Sequence, residues 1–154
     1  NNQYDKNMTV SLNDAMACVG DSTTISLDLV VYAVTGGDLN ALEKLILKAF
    51  SDGNQPVRIL RAVQRHLQNL HFVTGRIETG LPLERALALI RPPINFKYKK
   101  QFQSQVSQWQ KTNIIKALDL IIEAEIDCKS SGFPANAGCH RTLMRIAQTA
   151  RIQK

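Results

Sequence analysis

Apolar residues recur along the chain at spacings of three and four, and the runs with this period are separated by short polar, glycine or proline punctuation. The pattern predicts about eight helices. Ser11 followed by Asp14 reads as a variant capping box opening a short first helix that Gly20 stops. The polar run over residues 20–24 reads as a hinge and domain boundary, and Ser26 as the cap of a helix that carries Leu27, Val30, Val31 and Val34 to Gly36 and Gly37. Asp38 is placed to cap the next helix, with Leu39, Leu42, Leu45, Ile46 and Ala49 on one face and an end near Gly53. Pro56 suits the first turn of a long helix, because its missing N–H would find no partner there. Leu60, Val63, Leu67, Leu70 and Ile77 form the apolar stripe of that helix, and Arg58, Arg61, Arg65 and Gln68 run along another face.

Pro82 opens a short helix with Leu83, Ala86, Leu87 and Ile90, which Arg91-Pro92-Pro93 must end, since consecutive prolines forbid helical continuation. A further helix is expected from Phe96 to Trp109, with Phe102, Val106 and Trp109 on one face. The last two span about 112–131, up to Gly132 and Pro134, and 137–152, with Leu143, Met144, Ala147 and Ala150 inward. Only Met8-Thr9-Val10 hints at a strand. The fold class expected is all-α, a helical bundle with short loops between antiparallel neighbours.

Within the helix over 112–131, Glu125 falls on the same side as Ile114, Leu118 and Ile121, whereas Lys116, Asp119, Glu123 and Asp127 share the polar side. Glu125 is therefore expected to be at least partly buried in an ion pair, and the candidate cations are Lys129 at i+4 or an arginine of a neighbouring helix, Arg58, Arg61, Arg141 or Arg145.

The chain has 154 residues, 44% of them hydrophobic and 21% charged, enough apolar material for one domain or one domain with a short piece of another. It begins without methionine, which suggests a piece of a longer protein or a processed terminus. Lys and Arg number 19 against 13 Asp and Glu, and the excess is uneven: residues 55–154 hold sixteen basic and six acidic side chains, residues 1–54 three and seven. A basic body attracts phosphates or an acidic protein partner. Cys18, Cys128 and Cys139 are odd in number and widely spaced, which argues against a disulfide scaffold and fits a reducing cytoplasm. No run is long and apolar enough for a membrane span, and the polar start at Asn1 is unlike a signal peptide.

Catalytic constellations are not apparent. His66 and His71 stand five apart and diverge around a helix, and Cys139-His140 with Cys128 falls short of a zinc ligand set. Thr35-Gly36-Gly37-Asp38 is too short for a phosphate loop and puts an acid where phosphate would lie, and no nucleophile elbow occurs. From Arg91 to Lys111 there are five basic residues, no acidic one, and Phe96, Tyr98, Phe102 and Trp109 among them. Such interleaving suits a nucleic-acid surface, but helical spacing puts Phe102 and Trp109 in the core and leaves Lys97, Lys99 and Lys100 as an exposed, partner-facing cluster.

The run from Arg91-Pro92-Pro93 through Phe96 and Phe102 to Trp109 resembles a signature of the delta subunits of bacterial DNA polymerase III, clamp-loader components, in their alphaproteobacterial form. Gly37-Asp38, the Pro56–Arg61 opening, Leu118–Lys129 and Leu143–Ala147 agree in order with it. The resemblance implies that residues 1–24 are the tail of the lid domain of an AAA+-like module and that residues 25–154 are a helical collar. It further implies assembly with gamma or tau and delta prime subunits, contact with the sliding clamp only through an N-terminal module outside this sequence, and DNA met at most indirectly. No catalytic residue, metal or cofactor is carried over. A basic helical nucleic-acid-binding module is the alternative.

Overall fold

The computed structural model describes residues 22–154. The helix expected over 11–20, the strand hint at 8–10 and the start of the hinge lie outside the described residues. Seven α-helices follow in order: α1 (residues 22–36), α2 (Leu39–Ser51), α3 (Pro56–Glu78), α4 (Leu83–Ala88), α5 (Lys99–Gln108), α6 (Lys111–Cys128) and α7 (Ala135–Gln153). A 3₁₀ turn, Phe96–Tyr98, leads into α5, and no strand occurs among the described residues. The fold is all-α.

Helix α3 is the spine. Pro56 stands at its first turn, and Ile59, Leu60, Val63, Leu67, Leu70 and Val73 are all fully buried. It packs against α4, α5, α6 and α7, while α7 also covers α2. The stripes that meet it are Ile114, Ala117, Ile121 and Ala124 of α6 and Cys139, Leu143, Ile146, Ala147 and Ala150 of α7. Periods of three and four on each helix give a continuous inner face, so a single core forms between them.

The α1–α2 corner depends on Gly37. Its φ of +73° lets the Gly37 N–H reach Val34 O (3.2 Å) and the Asp38 N–H reach Ala33 O (2.9 Å), a Schellman ending to α1. Asp38 then caps α2, its Oδ1 accepting from the Ala41 N–H at 3.2 Å. A Cβ at Gly37 would lie 2.7 Å from the backbone nitrogen of Arg151 in α7, so the corner also needs the missing side chain for close packing.

The structure revises several expected boundaries. Residues 22–24 of the expected hinge are helical, and Ser26 is not a cap. It lies a turn inside α1, its hydroxyl bonded to Ser22 O and to the Asp52 carboxylate at the end of α2. A serine at a helix start and one that bonds back to the preceding turn look alike in sequence. Ile77, expected inward, is exposed, because residues 76–80 end α3 beyond the core. Phe96 precedes α5 in the 3₁₀ turn, where Asn95 Oδ1 accepts from the Lys97 N–H.

Candidate partner-binding surface

The Arg91-Pro92-Pro93 block closes α4 and hands the chain to α5. Arg91 Nη1 donates to Ala88 O (2.6 Å) and Ile90 O (2.8 Å), covering carbonyls left open at the helix end. The Arg91–Pro92 peptide is cis, and both prolines are exposed. Beyond them the anticipated aromatic residues divide. Phe102 and Trp109 are core, whereas Phe96 is 88% exposed, the highest value among the exposed large hydrophobic side chains of the described residues. Lys97, Lys99 and Lys100 are exposed beside it, and Lys99 pairs with Glu84 at 3.1 Å.

Beneath this loop lies a polar and aromatic layer that locks α1, α3 and α5 together. Tyr98 stacks on Tyr32 with centroids 4.1 Å apart, and His66 meets Tyr32 and Phe102 edge-on. The His66 Nε2–H donates to Gln105 Oε1 at 2.6 Å, and the Trp109 Nε1–H donates to Thr35 O at 2.8 Å. Burial pushes the His66 pKa down to about 4, against the smaller upward pull of Gln105, so the ring is neutral at physiological pH. Burial also lifts Tyr32 and Tyr98, with the neighbouring Asp28 charge adding to both. The two histidines have separate environments: His66 is core and His71 half-buried.

Glu125 sits at the margin between the core and the outer face of α6. Its Oε1 accepts from Arg61 Nε at 2.8 Å, lies 2.8 Å from Arg61 Nη2 and is 3.1 Å from Lys129 Nζ. The Glu125 side chain is 16% exposed and that of Arg61 58%, so the cluster is a shielded rim, not a buried pair. Bonds from Lys129 and then Arg61 hold the Glu125 carboxyl below its usual range.

Cys139 is buried with its thiol directed at Pro56 O (3.7 Å), and burial pushes its pKa up to about 12. Cys128 directs its thiol to Ala135 O (3.6 Å), and Cys18 lies outside the described residues. Among the described residues no three His, Cys, Asp or Glu side chains gather as a metal would require, and no helix is long and apolar enough to cross a membrane.

The feature that periodicity did not single out is the outer face of α6. Ile115, Ile122 and Ile126 are 46%, 46% and 62% exposed, and spacings of seven and four align them within about 40° around the helix. Asp119, Glu123 and Asp127, with Lys116 among them, line one edge of this stripe, and Lys111 and Lys129, paired with Glu78 and Glu125, lie towards the other. An exposed apolar seam with charged residues on both edges is what a second helix needs for packing.

No family model matches the chain, and no solved structure matches it. A sequence relative does. The chain is similar to a DNA polymerase III delta subunit. Over 121 residues, 78% of this chain, it is 30% identical to the probable DNA polymerase III subunit delta of Rickettsia prowazekii (strain Madrid E). The chain spans little more than a third of that delta subunit, 37% of its length.

Proposed function

We propose that this chain belongs to the delta subunits of bacterial DNA polymerase III and that residues 25–154 are the collar that holds delta in the clamp loader beside gamma or tau and delta prime. Residues 1–24 are then the tail of the preceding lid domain. The reading assigns the chain no catalysis and no cofactor. Sliding-clamp contact belongs to a module outside this sequence, DNA is met at most indirectly, and the setting is the cytoplasmic replisome. The similarity to a named subunit supports the family, and the isoleucine seam of α6 carries the collar reading. Three exposed isoleucines in register, with charged residues on both edges, suit a sister collar helix.

The test is co-elution of the chain with gamma or tau and with the sliding clamp from its own organism. Wild type is expected to elute with gamma or tau and not with the clamp, and Ile122→Glu with Ile126→Glu to elute alone. Elution with the clamp but not with gamma or tau would overturn the reading.

Phe96 favours a second reading as a nucleic-acid-binding module, since a bare ring among Lys97, Lys99 and Lys100 could stack on a base while the cations follow phosphates. A sub-micromolar, steeply salt-dependent DNA affinity at physiological salt, lost when the three lysines become glutamate, would select it; weaker non-specific binding, with Kd about 10⁻⁴ to 10⁻⁶ M, would not.

A further inference from the structure

A groove of about 470 Å³ runs between α1, α3 and the proline loop, away from the isoleucine seam. Its α3 wall is Arg58, Ala62, Arg65 and Asn69, at successive spacings of four, three and four. Those spacings put all four on one helix face, with the Cα atoms of Arg58 and Arg65 about 10 Å apart along the axis. Leu27 and Val31 line the facing wall, and Pro92 and Pro93 close one side. Arg58 and Arg65 are exposed, and neither forms an ion pair among the described residues, whereas Arg61 between them is engaged by Glu125. The groove therefore offers two unpaired planar forks opposite a wall that carries Leu27 and Val31, a combination that carboxylates on an extended chain with apolar residues between them would satisfy.

We propose that this groove docks an extended acidic segment of a partner protein, two of whose carboxylates, three residues apart, pair with Arg58 and Arg65. In a polyproline-type chain the side chains at i and i+3 share a face and stand about 9 Å apart, matching the arginine spacing. The apolar residues between them lie against Leu27, Val31 and the prolines. A nucleic-acid strand fits the groove less well. Tyr32 and Tyr98, the two phenol rings that line it, spend facing surfaces on each other at 4.1 Å, which limits base stacking. Asp28, on the α1 side, repels any anion in the groove, and a strand with a phosphate at every nucleotide meets that repulsion more often than a segment with two carboxylates.

The experiment is fluorescence anisotropy on the 154-residue chain with a labelled peptide Pro-Glu-Pro-Leu-Glu-Pro, its counterpart with both Glu replaced by Gln, and a thymidine 12-mer. The acidic peptide is expected to bind about tenfold or more tightly than the Gln peptide, and Arg65→Glu or the milder Arg65→Gln to remove that advantage. Lys100→Glu, outside the groove, should leave the affinity within about twofold. Because Arg65 is exposed, an unchanged thermal melt will show that its variants remain folded. Failure of the acidic peptide to bind, equal affinity for both peptides, indifference to Arg65 substitution, or tighter binding of the oligonucleotide with loss in Arg65→Gln would each overturn the proposal.

Discussion

His66 is surrounded by Tyr32, Phe102 and Gln105, and its ring stays neutral because charging it there would strip an imidazolium of water. The linkage sign follows from its depressed pKa. Above about 6.5, the unfolded value, the ring is neutral in both states and its contribution to stability is complete. Between there and about 4 the unfolded chain takes up the proton and the folded chain does not, so stability falls with pH. Denaturant melts at pH 7 and pH 4 should differ on this account by on the order of 2–3 kcal/mol, and His66→Gln should remove that part of the difference. Glu125 has the same sign for another reason, since its carboxylate is lowered by Lys129 and Arg61 and its stabilisation fades as acid protonates it. With both cations more than half exposed, solvent screens the cluster, and Glu125→Gln should cost under about 1 kcal/mol at pH 7 and less as acid protonates the wild-type carboxyl. A loss of several kcal/mol would mean that the carboxylate is far more enclosed than the rim geometry allows.

At the scale of elements, the α1–α2 corner and the outer face of α6 respond oppositely to substitution. Gly37→Ala places a side chain at a positive φ and against the Arg151 backbone, and should destabilise the chain by about 1–3 kcal/mol from strain, with further loss if α7 is displaced. Gly53→Ala also meets a positive φ but has no atom within 4 Å of the added Cβ, so it isolates the strain alone and should cost less in the same melt. Ile122→Glu changes a side chain with no place in the core, and urea unfolding should move by no more than about 0.5 kcal/mol. A larger shift would show that the seam supports the isolated fold and is not free for a partner.

For the whole molecule, α3 packs against α4, α5, α6 and α7, so the described bundle should unfold as one unit, with circular dichroism and tryptophan fluorescence giving coincident transitions. Leu67→Ala at the fully buried centre of α3 should lower its stability by about 2–5 kcal/mol. Much of this architecture was legible in the sequence. Pro56 at a helix start, Asp38 as a cap, Gly37 as a stop and the stripes of α2, α3 and α7 are local signals, set by backbone sterics and by hydrogen bonds within one or two turns. Glu125 was also placed correctly on its helix, but which cation met it depended on where Arg61 of α3 came to lie, 64 residues away. The same limit hid the seam, because Ile115, Ile122 and Ile126 differ in no chemical respect from Ile114 and Ile121. Periodicity states that a helix has apolar positions; only the packing of α3 and α7 decides which are covered. Phe96 and Tyr98 show it most directly, one ring left in water and the other sealed against Tyr32 because a single 3₁₀ turn sends them to opposite sides. The sequence by itself determined most of the described helices and the Asp38 cap, since those depend on neighbours along the chain. The isoleucine seam, the His66 layer and the arginine groove were decided by tertiary structure, since burial belongs to the space between elements and no single element carries it.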